Sequence, residues 1–190
     1  MAQNALKNQS GTLSNANDKK KEVVSVDDAK RLKEIRAIVK NSNLSSLDDN
    51  LIICQVYMES RFNERSGENE HSARGLMQMQ RNAVRQVYKY RVKKNTGKSA
   101  RDKDLPDIYA KADAFYNSEK IYEESDNIKI GTEYMQYWID RNKNDIVQAY
   151  KDYRGKENGI YYNKIKVCAD KLSGDPNNMQ LLRDMVDVKK

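Results

Sequence analysis

Residues 47–60 read LDDNLIICQVYMES, and after a polar loop, RFNERSGENEHSAR (61–74), the chain continues GLMQ (75–78). Ile52, Gln55, Val56 and Glu59 stand at i, i+3, i+4 and i+7, the spacing of one helical face. This predicts a helix from about Leu47 to Ser60, capped by Ser45 or Ser46. Asp48 and Asp49 then fall in the first turn, where the helix macrodipole favours acids. Glu59 shares its face with apolar groups near the helix C-terminus. Burial disfavours the ionised carboxyl, and the partial negative charge of a helix C-terminus disfavours it further, so both effects raise its pKa. A carboxyl that keeps its proton near neutral pH can protonate a leaving oxygen. On periodicity alone, a glutamate that simply reaches water from a helix end is the favoured account of the pattern.

Upstream of this helix, Leu32, Ile35, Ile38 and Val39 recur at helical spacing behind a capping box of Ser25 and Asp28. A first helix ending near Val39 is expected. Residues 1–24 are rich in Asn, Ser, Gln and Lys with almost nothing to bury, the composition of a disordered polar leader. Downstream, Ala83, Val84, Val87 and Tyr88 continue a helix, and residues 91–104 lack a hydrophobic period and read as a charged connection. Pro106 suits the start of an aromatic-bearing helix over 107–124. Further helices are expected near 127–141, 145–153 and 161–172, with MQLLRDMV (179–186) closing the fold. Eight Gly and two Pro in 190 residues leave few helix breakers, so residues 25–190 read as one mainly α domain.

The balance of 35 Lys and Arg against 28 Asp and Glu gives a net charge of +7, which favours acidic polymers as partners: nucleic acid, anionic lipid or cell wall. A noncatalytic basic helical protein binding nucleic acid is the competing class, although no nucleic-acid motif supports it. With one His and two Cys lacking a CxxC pair, no metal site of ordinary ligand count is expected. His71 has no recognisable nucleophile partner and reads as a solvated loop residue. Cys54 and Cys168 read as buried free thiols rather than a disulfide. No stretch approaches the roughly 18 apolar residues of a membrane span, and the first residues lack the apolar core of a signal peptide. Export independent of a signal peptide is therefore expected.

Glu59-Ser60-Arg61-Phe62-Asn63 followed by Gly75-Leu76-Met77-Gln78 resembles the Glu-Ser-x-Phe-Asn and Gly-Leu-Met-Gln signature of the lytic transglycosylases, relatives of the goose-type lysozymes. Asn127-Ile128, Gly131 and Tyr134 resemble the Asn-Ile-x-x-Gly-x-x-Tyr helix of the same family. Asp145 and Tyr153 keep the spacing of the family's Asp and of the Tyr in its Tyr-Asn-Ala-Gly motif. The resemblance spans about residues 47–172 and implies a lysozyme-like helical domain with a substrate cleft and no cofactor. It implies cleavage of the β-1,4 bond between N-acetylmuramic acid and N-acetylglucosamine in peptidoglycan, with Glu59 as general acid and then base. Ser60, Met77, Gln78, Gln80, Asn127, Tyr150 and Tyr153 would meet the glycan, and Tyr153 would also orient Glu59 by a hydrogen bond, a role open to Tyr150 if a short gap intervenes.

The chain departs from the family pattern at Gln80-Arg81 and at Tyr153-Arg154-Gly155-Lys156. The longer stretch after Gln78 marks 91–124 as an insertion. Glu64, Glu68 or Glu70 in the loop after Glu59 offers a second carboxylate, which would turn ring-closing chemistry into hydrolysis. The expected partners are peptidoglycan strands, with a secretion apparatus or phage lysis as the route to the periplasm or cell wall and a cognate inhibitor protein as a possible companion.

Overall fold

The computed structural model describes residues 28–68, 72–156 and 158–187. The leader over 1–24, the cap at Ser25, Glu70 and His71 lie outside the described residues. Eight α-helices are present among those described: α1 (Asp28–Ser42), α2 (Asp49–Ser60), α3 (Arg81–Thr96), α4 (Leu105–Tyr116), α5 (Glu124–Arg141), α6 (Ile146–Arg154), α7 (Ile160–Gly174) and α8 (Met179–Asp187). A two-stranded antiparallel hairpin, β1 (Ala73–Arg74) and β2 (Met79–Gln80), pairs Ala73 with Gln80 and Arg74 with Met79. The mainly α, lysozyme-like class read from the sequence holds. The hairpin was not foreseen, because two-residue strands carry no periodic signal.

Helix α5 is the hub. It packs against α1, α3, α6 and β2, and it buries Ile128, Ile130, Met135 and Ile139. Helix α2 lies against α1, α7 and α8, with Ile52, Ile53 and Val56 fully buried. Its cap differs from expectation: Asp48 is the N-cap, and its side chain accepts from the Asn50 N–H at 2.8 Å. Ser45 instead hydrogen-bonds Asn43, so the cap lies further along the chain than either serine. A carboxylate there satisfies an open N–H and meets the positive end of the dipole, together worth about 1 kcal/mol.

Residues 91–96, expected as a connection, continue α3 to Thr96 before Gly97 (φ 70°) ends the helix. Arg91 explains the extension, since its guanidinium forks onto Glu133 of α5 at 2.7 and 2.9 Å. The single helix expected over 107–124 is broken: α4 stops at Tyr116, a 3-10 turn spans Glu119–Ile121, and α5 begins at Glu124. Cys54 of α2 and Cys168 of α7 are buried free thiols, as read from their apolar surroundings. No helix among the described residues is long and apolar enough to cross a membrane.

Candidate active site

Helix α2 ends at Ser60, and the chain then reverses through two consecutive left-handed residues, Arg61 (φ 54°) and Phe62 (φ 64°). Phe62 is buried against Tyr57, with ring centroids 4.9 Å apart. The Ser60 side chain is spent on the Val56 carbonyl at 3.1 Å. Glu59 is thus the last α2 side chain on the cleft side, half-buried at the mouth of a cavity of about 460 Å³.

Glu59 Oε1 accepts a short hydrogen bond from the Tyr161 hydroxyl on α7. Burial lifts the Glu59 pKa above the ordinary glutamate value; the Tyr161 hydrogen bond and the charges of Arg154 and Arg61 pull it down without cancelling the rise. The Arg154 guanidinium stands 5.4 Å from the Tyr161 ring centroid, which places it beside the same pair. Tyr153 and Tyr161 both have hydroxyl pKa values pushed well up, first by burial and then by the nearby Glu59 charge. Both phenols therefore act as proton donors in hydrogen bonds rather than as bases.

The orienting partner expected at Tyr153 is Tyr161. The Tyr153 hydroxyl donates to the Met77 carbonyl at 3.0 Å, fastening α6 to the GLMQ turn. Tyr150 does not take the role either, because it is 1 % exposed and its hydroxyl has no hydrogen-bond partner among the described residues. Spacing along the sequence could not select Tyr161 from twelve tyrosines. The docking of α7 on α2 does so, a long-range contact with no local signature.

Four residues expected to meet the glycan, Ser60, Met77, Asn127 and Tyr150, are buried and do not line the cavity. Asn127 is fully buried: its amide donates to the carbonyls of Arg74 at 3.1 Å and Ile121 at 2.7 Å and accepts from the Met77 N–H at 2.8 Å. Met77 is fully buried against Gly131, where an added Cβ would lie 2.4 Å from the Met77 sulfur. Gly75 (φ 74°) is equally constrained, since a Cβ there would stand 2.2 Å from Asn127 Nδ2. Ser60 and Tyr150 are buried as well. Asn127, Met77 and Gly131 hold the GLMQ turn in place, whereas Ser60 is tied within its own helix and Tyr150 packs against Tyr161 and Tyr162.

Gln78, Gln80 and Tyr153 do line the cavity with Glu59. Gln78 adopts a left-handed backbone (φ 48°), and its side-chain nitrogen is tied to the carbonyls of Ser66 at 3.1 Å and Gly75 at 2.9 Å. The opposite wall is aromatic: Tyr134, Tyr137 and Trp138 project from α5 at i, i+3 and i+4. Tyr137 and Trp138 were missed in the sequence, although the run YMQYW (134–138) carries the stripe plainly. Arg154 and Gly155, which stand where the chain departs from the family motif, also line the cavity.

Asp152 is the other carboxylate lining the cavity among the described residues, and both its oxygens are engaged, by Asn142 Nδ2 at 2.8 Å and Gln148 Nε2 at 3.0 Å. Two of the loop glutamates, Glu64 and Glu68, are turned to other work. Glu64 faces Arg31 at 3.6 Å and Glu68 faces Arg65 at 3.0 Å, and neither lines the cavity. Among the described residues no three His, Cys, Asp or Glu side chains gather as a metal site.

A family model described as the transglycosylase SLT domain matches residues 36–164. A search of curated proteins returned no match, and neither did a search of solved structures. The matched span begins in α1, contains Glu59 and the Gly75–Gln78 turn with the Asn127 and Gly131 that brace it, and runs into α7 past Tyr161. It covers more than half of the 190 residues, and on that ground the chain belongs to the transglycosylase SLT domain family.

Proposed function

We propose that the protein is a peptidoglycan lytic transglycosylase in which Glu59 cleaves the β-1,4 bond between N-acetylmuramic acid and N-acetylglucosamine. The observation that carries this reading is a carboxyl with a raised pKa, hydrogen-bonded by Tyr161 at the mouth of an aromatic-walled cleft. A protonated Glu59 gives its proton to the glycosidic oxygen as the bond to the muramoyl C1 breaks. The acetamido oxygen of the same sugar bonds to C1 and holds the developing positive charge. Glu59, now a carboxylate, removes the proton of the muramoyl 6-hydroxyl, whose oxygen attacks C1 and displaces the acetamido oxygen. The products are a free N-acetylglucosamine 4-hydroxyl and a 1,6-anhydro ring, with Glu59 reprotonated and no water consumed.

Ring closure needs one carboxylate, whereas inverting hydrolysis needs a second to activate water. Asp152, with both oxygens held by neutral amides, is poorly placed to serve as that base, which supports ring closure. The flat faces of Tyr134, Tyr137 and Trp138 suit the apolar faces of pyranose rings. This substrate puts the work of the protein in the periplasm or cell wall.

The test is digestion of purified sacculi by the parent protein and by Glu59→Gln. The parent releases muropeptides by mass spectrometry, and each cleaved product lacks the mass of one water relative to hydrolysis. Loss of the acid lowers the rate by about 10²- to 10⁴-fold. Undiminished cleavage by Glu59→Gln would sink the assignment, and products carrying the added water would replace ring closure by hydrolysis.

A further inference from the structure

A second hollow, of about 760 Å³, opens beside the cleft and shares Gln86 and Tyr137 with it. Its rim carries Lys89, Lys93 and Lys94 of α3 and Arg141 and Lys143 from the end of α5 and the turn that follows. Two acids, Asp102 and Asp140, stand among these five cations. Asp140 is already engaged by the Tyr90 hydroxyl and by Gln136 Nε2. None of the five cations enters an ion pair among the described residues. Six arginines elsewhere, Arg31, Arg65, Arg81, Arg85, Arg91 and Arg101, each meet a carboxylate, whereas Lys33, Lys40 and Lys111 stand on open surface without one among the described residues, so what sets these five apart is their convergence on one concavity. Lys94 and Arg141 rest on aromatic rings instead, 5.4 Å from the Tyr90 centroid and 5.8 Å from the Trp138 centroid.

A merely solvated basic face would spread its cations over convex surface. Here they converge on a concavity whose size falls within the range of ligand pockets and which continues the cleft. A strand lying across Tyr137 would carry whatever hangs from its sugars into this hollow. We infer that the hollow is a subsite for the carboxylates of the peptide stems attached to the glycan strand. The inference rests on the reading of the cleft as a peptidoglycan site, and it assigns substrate selection to charges outside the catalytic cavity. Each contact is an exposed ion pair, so the gain comes from several acting together and weakens with salt.

The experiment measures binding in the Glu59→Gln background, where strands stay intact. The probes are soluble glycan strands bearing peptide stems, and the same strands with their carboxyls amidated. The parent pocket should bind the native strands roughly threefold to tenfold tighter than the amidated ones. Replacing Lys93, Lys94 and Lys143 together by Gln should close that gap, and replacing the same three by Arg should restore it. All three are exposed, and circular dichroism of each variant verifies that the fold is kept. A gap that persists in the Gln variant overturns the inference, as does an equal loss of affinity for both strands. Lysis of sacculi by the protein with Glu59 intact separates the outcomes: cleavage with a persistent gap discards the subsite alone, whereas no cleavage discards the reading of the cleft.

Discussion

At the scale of single residues, the site turns on the balance around one carboxyl. The Tyr161 hydrogen bond favours the ionised form of Glu59, opposing the burial that favours the neutral one. Tyr161→Phe removes the opposing effect, so the Glu59 pKa climbs further. A general acid works while protonated, and the alkaline limb of the pH–rate profile therefore moves to higher pH in this variant, with kcat reduced because the carboxyl loses its orientation. A profile unchanged in position would show that Tyr161 does not govern the acid. The same balance has a stability consequence. A carboxyl whose pKa is higher in the folded chain favours folding below its unfolded value and loses that contribution as the pH rises through the folded value. Glu59→Gln should accordingly melt above the parent at neutral pH, with the two converging below about pH 4. That Glu59 reaches the cavity was legible in the sequence because position on a helix face and a local motif both pointed to it. Its partner was not, because Tyr161 is 102 residues away along the chain.

The elements tell a complementary story. Asn127 joins α5 to the GLMQ turn through the Met77 N–H and the carbonyls of Arg74 and Ile121. Asn127→Ala strands these three buried groups at about 1 kcal/mol or more each, a loss of roughly 10 °C in Tm by scanning calorimetry. Gly131→Ala drives a methyl into the Met77 side chain, which costs about 1–3 kcal/mol and shifts Gln78 at the cavity wall. That variant should lose activity out of proportion to its fall in Tm, read by comparing kcat with the melting curve. The sequence placed Asn127 and Met77 at the site, and the structure buries both beneath the cavity wall. Motif residues cluster wherever the site must be held rigid, and one-dimensional spacing does not distinguish a side chain that touches sugar from one that braces the turn beneath it. Helix interiors were readable from periodicity, but α3 ran past its expected end because the Arg91–Glu133 fork, 42 residues apart, outweighed the polar composition of its last turn.

Over the whole molecule, the net charge of +7 sets the terms of encounter with a polyanionic wall. Long-range attraction to such a surface is screened over about 8 Å at physiological ionic strength. Co-sedimentation with sacculi should therefore weaken steadily as salt is raised, while the pH limb set by Glu59 stays in place; retention insensitive to salt would remove charge from the account of binding. The mainly α class and the order of the helices were readable at this scale, whereas five cations converge on one hollow only after α3, α4 and the end of α5 have come together. One component of the aromatic wall has a practical meaning. The chain contains a single tryptophan, Trp138, and it lines the cleft. Nature has thus installed a fluorophore where the sugars are proposed to lie, so the emission spectrum of the unlabelled protein reports occupancy directly, and a titration with uncleaved glycan in the Glu59→Gln background can be followed by light alone.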